Sequence, residues 1–280
     1  MANGHMSFTL PKGQYGNILI DYSGTNAALK TMTLADLGNI RLNWNGQDVV
    51  NVDAEILSIL NNLYGGVAPF VSAAGANFSG QIIIPCGQWT DSMNIYDIGN
   101  TDQVQLTLDF PNLAAIANVT AGTVTVYYKD KVGVMNYLHN IVMRQVVAQG
   151  GGWVNDTFPV NNVSQIYLKT PVTNHVTDLQ ILKDNETHVD STTAVAQAYS
   201  DYIHIVETAT TSIAIECAES KNIMESIGGQ VQYRYLFSQA DTLQQYFSYI
   251  LFTKQKSSES RNTSGRRLNQ RQNAVQGYRR

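Results

Sequence analysis

Residues 106–131 read LTLDFPNLAAIANVTAGTVTVYYKDK, and the fold turns on them. Leu106, Leu108 and Phe110 alternate with polar neighbours, the period-2 signature of a half-buried strand. Residues 112–120 place Leu113, Ile116 and Ala117 at helical spacing, Gly122 breaks that run, and Val124, Val126 and Tyr128 alternate again. The block returns at residues 213–237, IAIECAESKNIMESIGGQVQYRYLF. Ile213, Ile215 and Cys217 match the first strand, and Ile223, Met224 and Ile227 the helical face. Gly229 matches the break, and Val231, Tyr233 and Tyr235 the last strand. The two blocks align without a gap at a separation of 107 positions, from Leu106/Ile213 to Tyr128/Tyr235. Such a pair predicts two copies of one domain.

The flanking segments extend the duplication. Residues 8–22 open the first copy, with a strand around Ile18 and Ile20, and residues 158–169 open the second. Pro11, Ile18 and Ile20 correspond to Pro159, Ile166 and Leu168, all 148 positions on. Residues 40–46, IRLNWNG, predict a strand ending in an Asn-Gly hairpin turn, and residues 179–185 match them. A helix follows in each copy. Asp53 is placed to cap the first, whose apolar face is Ile56, Ile59, Leu60, Leu63 and Tyr64. Val195, Ala198, Tyr199, Tyr202 and Ile203 repeat that spacing. Strand and helix are both offset by 139 positions. The falling offsets imply two insertions in the first copy: nine residues within 21–39, and 32 residues between Tyr64 and Leu106. The larger covers about residues 65–101, the length of a functional projection.

The expected architecture is all-β: two tandem eight-stranded jelly-roll sandwiches with short helices between strands. Residues 1–140 form the first roll with its long insertion at 65–101, and residues 141–240 the second. The joint at residues 132–156 reads as a short helix or as a strand at 141–147, followed by a flexible Gly150–Gly152. Residues 241–253 read as a helix capped by Asp241, with Leu243, Tyr246, Phe247, Ile250 and Leu251 in one stripe. A basic tail completes the C-terminal part, 241–280.

Composition narrows the function. Charged residues are 14% of 280, which fits a β protein with extensive covered surface. Cys86 and Cys217 fall in different copies and outside any CxxC or Cys/His pattern, so a disulfide framework is not expected. No basic stretch followed by an apolar run opens the chain, and no stretch has the roughly 18 uninterrupted apolar residues of a membrane span. The net charge of −4 hides an asymmetry. Lys254, Lys256, Arg261, Arg266, Arg267, Arg271, Arg279 and Arg280 face one acid, Glu259, in a tail with almost nothing to bury.

Catalytic patterns are weak. His188, Asp190 and His204 supply the residue set of an iron(II) facial triad, but Asp190 is also placed to cap the second helix and His204 to lie near its C-terminal dipole. Glu207 with Glu216, and Asp102 with Asp109, are carboxylate pairs of the kind found in any chain this long. Trp44, Trp89 and Trp153 follow no spacing rule and read as core or interface, as do Tyr127, Tyr128, Tyr233 and Tyr235. No catalytic residue, metal ligand or cofactor is assigned.

The opening LPKGQ at residues 10–14 and IDYSG at 20–24, then a strand ending in Asn-Gly and a helix, all within a duplicated β chain, resemble a known family. It is the double jelly-roll major capsid proteins of membrane-containing icosahedral tail-less bacteriophages, of the corticovirus and finnlakevirus kind. The resemblance covers about residues 8–252 and rests on architecture. It implies a non-enzymatic coat protein that forms pseudo-hexameric homotrimers over an internal lipid membrane, beside neighbouring capsomers and penton or minor capsid proteins. It implies location in the virion, with assembly in the host cytoplasm. The 65–101 insertion would then be a tower or a trimer-locking loop, and the 241–253 helix and basic tail would face the membrane. Anionic headgroups would attract the eight tail cations at roughly 1 kcal/mol each. A membrane between coat and genome leaves direct DNA binding unexpected. The rival class is a two-domain jelly-roll lectin or carbohydrate-binding protein.

Overall fold

The computed structural model describes residues 4–26, 33–65, 71, 73–87, 94–110, 119–135, 137–157, 163–169, 175–183, 185–204, 212–216 and 231–252. The first half holds β1 (Gly4–Thr9), β2 (Gly13–Asn26), a 3-10 turn (Leu34–Leu37), β3 (Asn39–Trp44), β4 (Gln47–Asp53), α1 (Ala54–Gly65), β5 (Asn77–Pro85), β6 (Tyr96–Ile98), β7 (Val104–Phe110) and β8 (Val119–Asp130). The second holds β9 (Tyr137–Ala148), β10 (Gly152–Thr157), β11 (Val163–Lys169), β12 (Val176–Lys183), β13 (Glu186–Thr192), α2 (Thr193–His204), β14 (Ser212–Glu216), β15 (Val231–Phe237) and β16 (Asp241–Phe252).

The second half is a complete jelly roll. One layer runs β9-β16-β11-β14 and the other β10-β15-β12-β13. The first half repeats it: β1-β7-β3-β4 matches β10-β15-β12-β13, while β2 lies between β8 and β5 as β11 lies between β16 and β14. Tyr15 pairs with both Tyr96 and Asp130, so β6 continues the β5 side of β2. Two apolar clusters fill the rolls, one around Ile18, Ile20, Ile40, Leu42, Leu106 and Leu108, the other around Ile166, Leu168, Leu179, Tyr233, Tyr235 and Phe247.

Local chemistry explains the elements. Asn45 and Gly46 both take positive φ, 52° and 88°, closing the β3–β4 hairpin as Asn-Gly turns do. Ile56, Leu57 and Leu60 bury the inner face of α1. Buried Asn61 on the same helix donates to the Ile83 carbonyl at 2.9 Å and accepts from the Ile83 N–H, so it covers the edge of β5. In α2, Val195 is 62% exposed and Ala198 is exposed, against the expected face; Ala196 packs on the second core instead. The side chains of Tyr199, Tyr202 and Ile203 lie outside the described residues.

Four expectations are corrected. Residues 241–252 are strand, not helix. Central in its sheet, β16 turns Leu243, Phe247 and Tyr249 toward the second core and Tyr246 toward the first. A strand buried on both faces loses its period-2 signature, and its apolar run passes for a helical stripe.

The 107-position alignment is slipped by one strand. The spatial partner of β7 is β15, not β14: Gly4↔Phe110 in one roll repeats Gly152↔Phe237 in the other, a separation of 127 positions. Gly122 lies inside β8, opposite Gly24, rather than breaking a helix. Residues 111–118 and 217–230, which carry the expected helical runs, lie outside the described residues.

The supposed insertion at 65–101 contains β5, a wall strand that pairs with β2 from Asn17↔Pro85 to Thr25↔Asn77. Ile82 and Ile84 lie opposite Ile20 and Ile18, as Ile213 and Ile215 lie opposite Leu168 and Ile166. Finally, the division at 140/141 cuts through β9, and β16 belongs to the second roll rather than to a separate C-terminal part.

The rolls are joined by backbone. Strand β4 pairs in parallel with β9 at Val50↔Ile141 and Asn51↔Val142, which makes β1-β7-β3-β4-β9-β16-β11-β14 one eight-stranded sheet.

Candidate functional site

The joint between the rolls carries a group of buried and part-buried polar contacts among the described residues. The start of α1 meets the back of β11 and β16. The Tyr246 hydroxyl donates to Asp53 Oδ2 at 2.9 Å, and Lys169 Nζ donates to Glu55 Oε2 at 2.6 Å. Asp53, expected to cap α1, directly precedes that helix, and its carboxylate ties the two rolls together. Tyr246 and Tyr167 stack edge-on at 6.1 Å against the first core. Burial, reinforced by Asp53, raises the Tyr246 pKa far above the usual phenol range and keeps the hydroxyl a donor.

His139 on β9 lies fully buried where both rolls meet. Its Nδ1 is 3.3 Å from the Pro85 carbonyl, which only accepts, so Nδ1 carries the proton. Nε2 then accepts from the Ser248 hydroxyl at 2.7 Å. The His139 carbonyl accepts from the Tyr96 hydroxyl at 2.8 Å. Burial lowers the His139 pKa to about 4, opposed by the Pro85 carbonyl. Nearby, Asn94 Nδ2 donates to the carbonyls of Cys86 (2.6 Å) and Tyr137 (3.1 Å). Residues 85–87 and 94–96 are therefore stitched to the start of β9, so these parts of the expected tower are buried joint. Burial also pushes the Cys86 thiol well above its ordinary range; Cys217 lies outside the described residues.

The outer face of the second roll carries a polar row that the sequence reading passed over. Arg234 donates through Nε to Asn155 Oδ1 (2.9 Å) and through Nη1 to Gln180 Oε1 (3.1 Å). Gln180 Nε2 in turn donates to Asp190 Oδ1 at 3.2 Å. Strand register lines these residues up across β10, β15, β12 and β13. The guanidinium carbon sits 5.0 Å from the Trp153 ring centroid, a cation–π contact on a solvent-facing ring. The signal available in sequence was the polar half of the alternation in Val231–Phe237.

The motif residues whose side chains are described are not brought together into one site. His188 and Asp190 are exposed on β13, Asp190 holds Gln180, and Thr192 rather than Asp190 caps α2 by accepting from the Val195 N–H at 3.3 Å. His204 is the last residue of α2 and Glu216 ends β14; their side chains, like Glu207 and Trp89, lie outside the described residues. Asp102 closes a turn through Asn45 and the Gly99 N–H, and Asp109 faces His5 at 2.6 Å and Arg41 at 3.7 Å. Among the described residues no cluster of three His, Cys, Asp or Glu side chains is placed to hold a metal ion. Trp44 is buried against Tyr96, Tyr233 and Tyr235 are core, and Tyr127 and Tyr128 are exposed. The eight tail cations, Lys254 to Arg280, lie outside the described residues.

Two sandwiches of one topology on a shared sheet define the double jelly-roll class of fold. Solved structures of that class superimpose on nearly the whole chain. The major capsid protein P2 from bacteriophage PM2 matches at 15% identity and TM-score 0.66, over 91% of this chain and 94% of that one. The STIV MCP matches at 12% identity and TM-score 0.63, over 92% and 96%. A chain from the atomic structure of Sulfolobus Turreted Icosahedral Virus matches at 11% identity and TM-score 0.68, over 95% and 92%. No protein-family model and no curated protein sequence matches the chain.

Proposed function

We propose that the protein is a major capsid protein that builds an icosahedral virion shell. The observation that carries this reading is one sandwich built twice on one unbroken sheet. Three copies joined as a trimer present six similar rolls, a pseudo-hexagonal tile from a single polypeptide. The joint supports the reading, because a tile that must hold its outline needs rolls locked by backbone pairing, a part-buried hydroxyl–carboxylate bond and an ion pair. The solved neighbours are coat proteins, which favours this role over the lectin alternative.

In this proposal the trimers meet other capsomers and penton or minor capsid proteins, assemble in the host cytoplasm, and do no chemistry. The basic tail, Lys254, Lys256, Arg261, Arg266, Arg267, Arg271, Arg279 and Arg280, faces an internal anionic membrane. Each cation adds roughly 1 kcal/mol within a Debye length of about 8–10 Å, and repetition across the shell multiplies weak single contacts.

Mass in solution tests the proposal. Sedimentation equilibrium at high protein concentration is expected to give a trimer, and electron microscopy a hexagonal outline. A monodisperse monomer throughout contradicts it.

A further inference from the structure

The two rolls differ at one wall position. In the second, β16 lies between β11 and β9, and β9 pairs along all of it from Asp241↔Ala148 to Phe252↔Tyr137. In the first, β8 occupies the place of β16 and pairs with β2, and among the described residues nothing pairs with its other edge. The registers Ile18↔Tyr128 and Ile166↔Phe247 make Tyr128 the counterpart of Phe247, and Val124, Val126 and Tyr127 the counterparts of Leu243, Gln245 and Tyr246. All four β16 residues are buried. On β8, Tyr127 is 54% and Tyr128 44% exposed, while Val124 and Val126 are only half-buried.

The apolar surface continues past the strand. Val132 is 95% and Val134 63% exposed, so four of the nine large exposed apolar side chains among the described residues lie within Tyr127 to Val134. Among the described residues no strand covers this edge of 12 residues, roughly 40 Å long, and its outward backbone donors and acceptors run beside that surface. Such an edge pairs with another extended segment by strand addition.

We infer that the free edge of β8 is a strand-acceptor site filled by a segment of a second copy of this chain. The strand in the equivalent place of the second roll is this chain's own β9, antiparallel and rich in Val and Ile, so the position is shaped for a strand of this composition. A strand of that kind, supplied from another copy, completes the first core and becomes a subunit contact. The supply of copies rests on the coat reading.

Hydrogen exchange of the full chain, followed by mass spectrometry across its assembly range, tests the inference. Amides of 119–130 are expected to exchange at least about tenfold more slowly in the oligomer than in the dissociated chain. The double variant Thr125→Lys, Tyr127→Lys is expected to weaken association at least about tenfold, since charges on an edge oppose pairing, and to leave the melting temperature of the dissociated chain unchanged. An oligomer whose β8 amides exchange freely overturns the strand donation and leaves the coat reading intact. Equal protection in the dissociated chain also overturns it, because the edge is then covered within one copy. A chain monomeric at every concentration overturns both.

Discussion

Acidification should loosen the joint through His139. The unfolded chain takes up a proton on this imidazole near pH 6.5, and burial lowers the folded value to about 4. Between those values the unfolded state binds more protons, so stability falls as pH falls and is fully present above 6.5. Each pKa unit is about 1.4 kcal/mol, which makes the loss on the order of 3 kcal/mol by pH 4. The geometry says why the fold resists the charge: the ring is fully buried, Nδ1 is already spent on Pro85, and Nε2 serves as an acceptor for Ser248. His139→Gln keeps a donor and an acceptor but cannot titrate. The assay is urea unfolding of both proteins by tryptophan fluorescence at pH 7, 6, 5 and 4. Carboxylates common to both cancel in the difference. The stability of the native protein relative to His139→Gln should drop by about 3 kcal/mol across the series. A difference that stays constant with pH would refute the burial of a neutral imidazole at the joint.

Other perturbations probe the same frame. Tyr246→Phe keeps the ring against Tyr167 and removes the bond to Asp53; with Asp53→Ala it should give a coupling of about 1–2 kcal/mol in a double-mutant cycle, and strict additivity would deny that the bond joins the rolls. Asn61→Leu strips both partners from Ile83 at the covered edge of β5 and should cost about 3 kcal/mol by denaturant midpoint; a neutral outcome would mean the edge is satisfied otherwise. Removing residues 257–280 should abolish co-sedimentation with anionic vesicles at low salt while leaving the trimeric state unchanged. Equal vesicle binding by the shortened chain would count against a membrane-facing tail.

Much of the fold was legible because local signals and tertiary placement agreed. The Asn45–Gly46 turn, both helices and the pairs Ile18/Ile166 and Ile40/Leu179 lie where their spacing puts them. Each belongs to an element whose neighbours are near in sequence or whose one buried face leaves a clear period. The strand slip arose because β7, β8, β14 and β15 all carry alternating stretches, and alternation does not say which strand in the roll a segment is. Counting the wall strand β5 as an insertion followed directly from that slip.

The joint was not legible at all. His139 with Pro85 and Ser248, Tyr246 with Asp53, and Lys169 with Glu55 span 54 to 193 positions, and no motif links them.

From the order of its residues alone, the chain declared that one β domain occurs twice, with a helix at the same point in each copy and a basic end. Composition and periodicity are enough for that, because repetition and half-burial are written residue by residue. Which strands face each other, that β16 is a strand covered on both sides, and that no described strand covers the outer edge of β8 were decided only when distant segments packed. Burial on a second face comes from partners far along the chain, and local spacing carries no record of them.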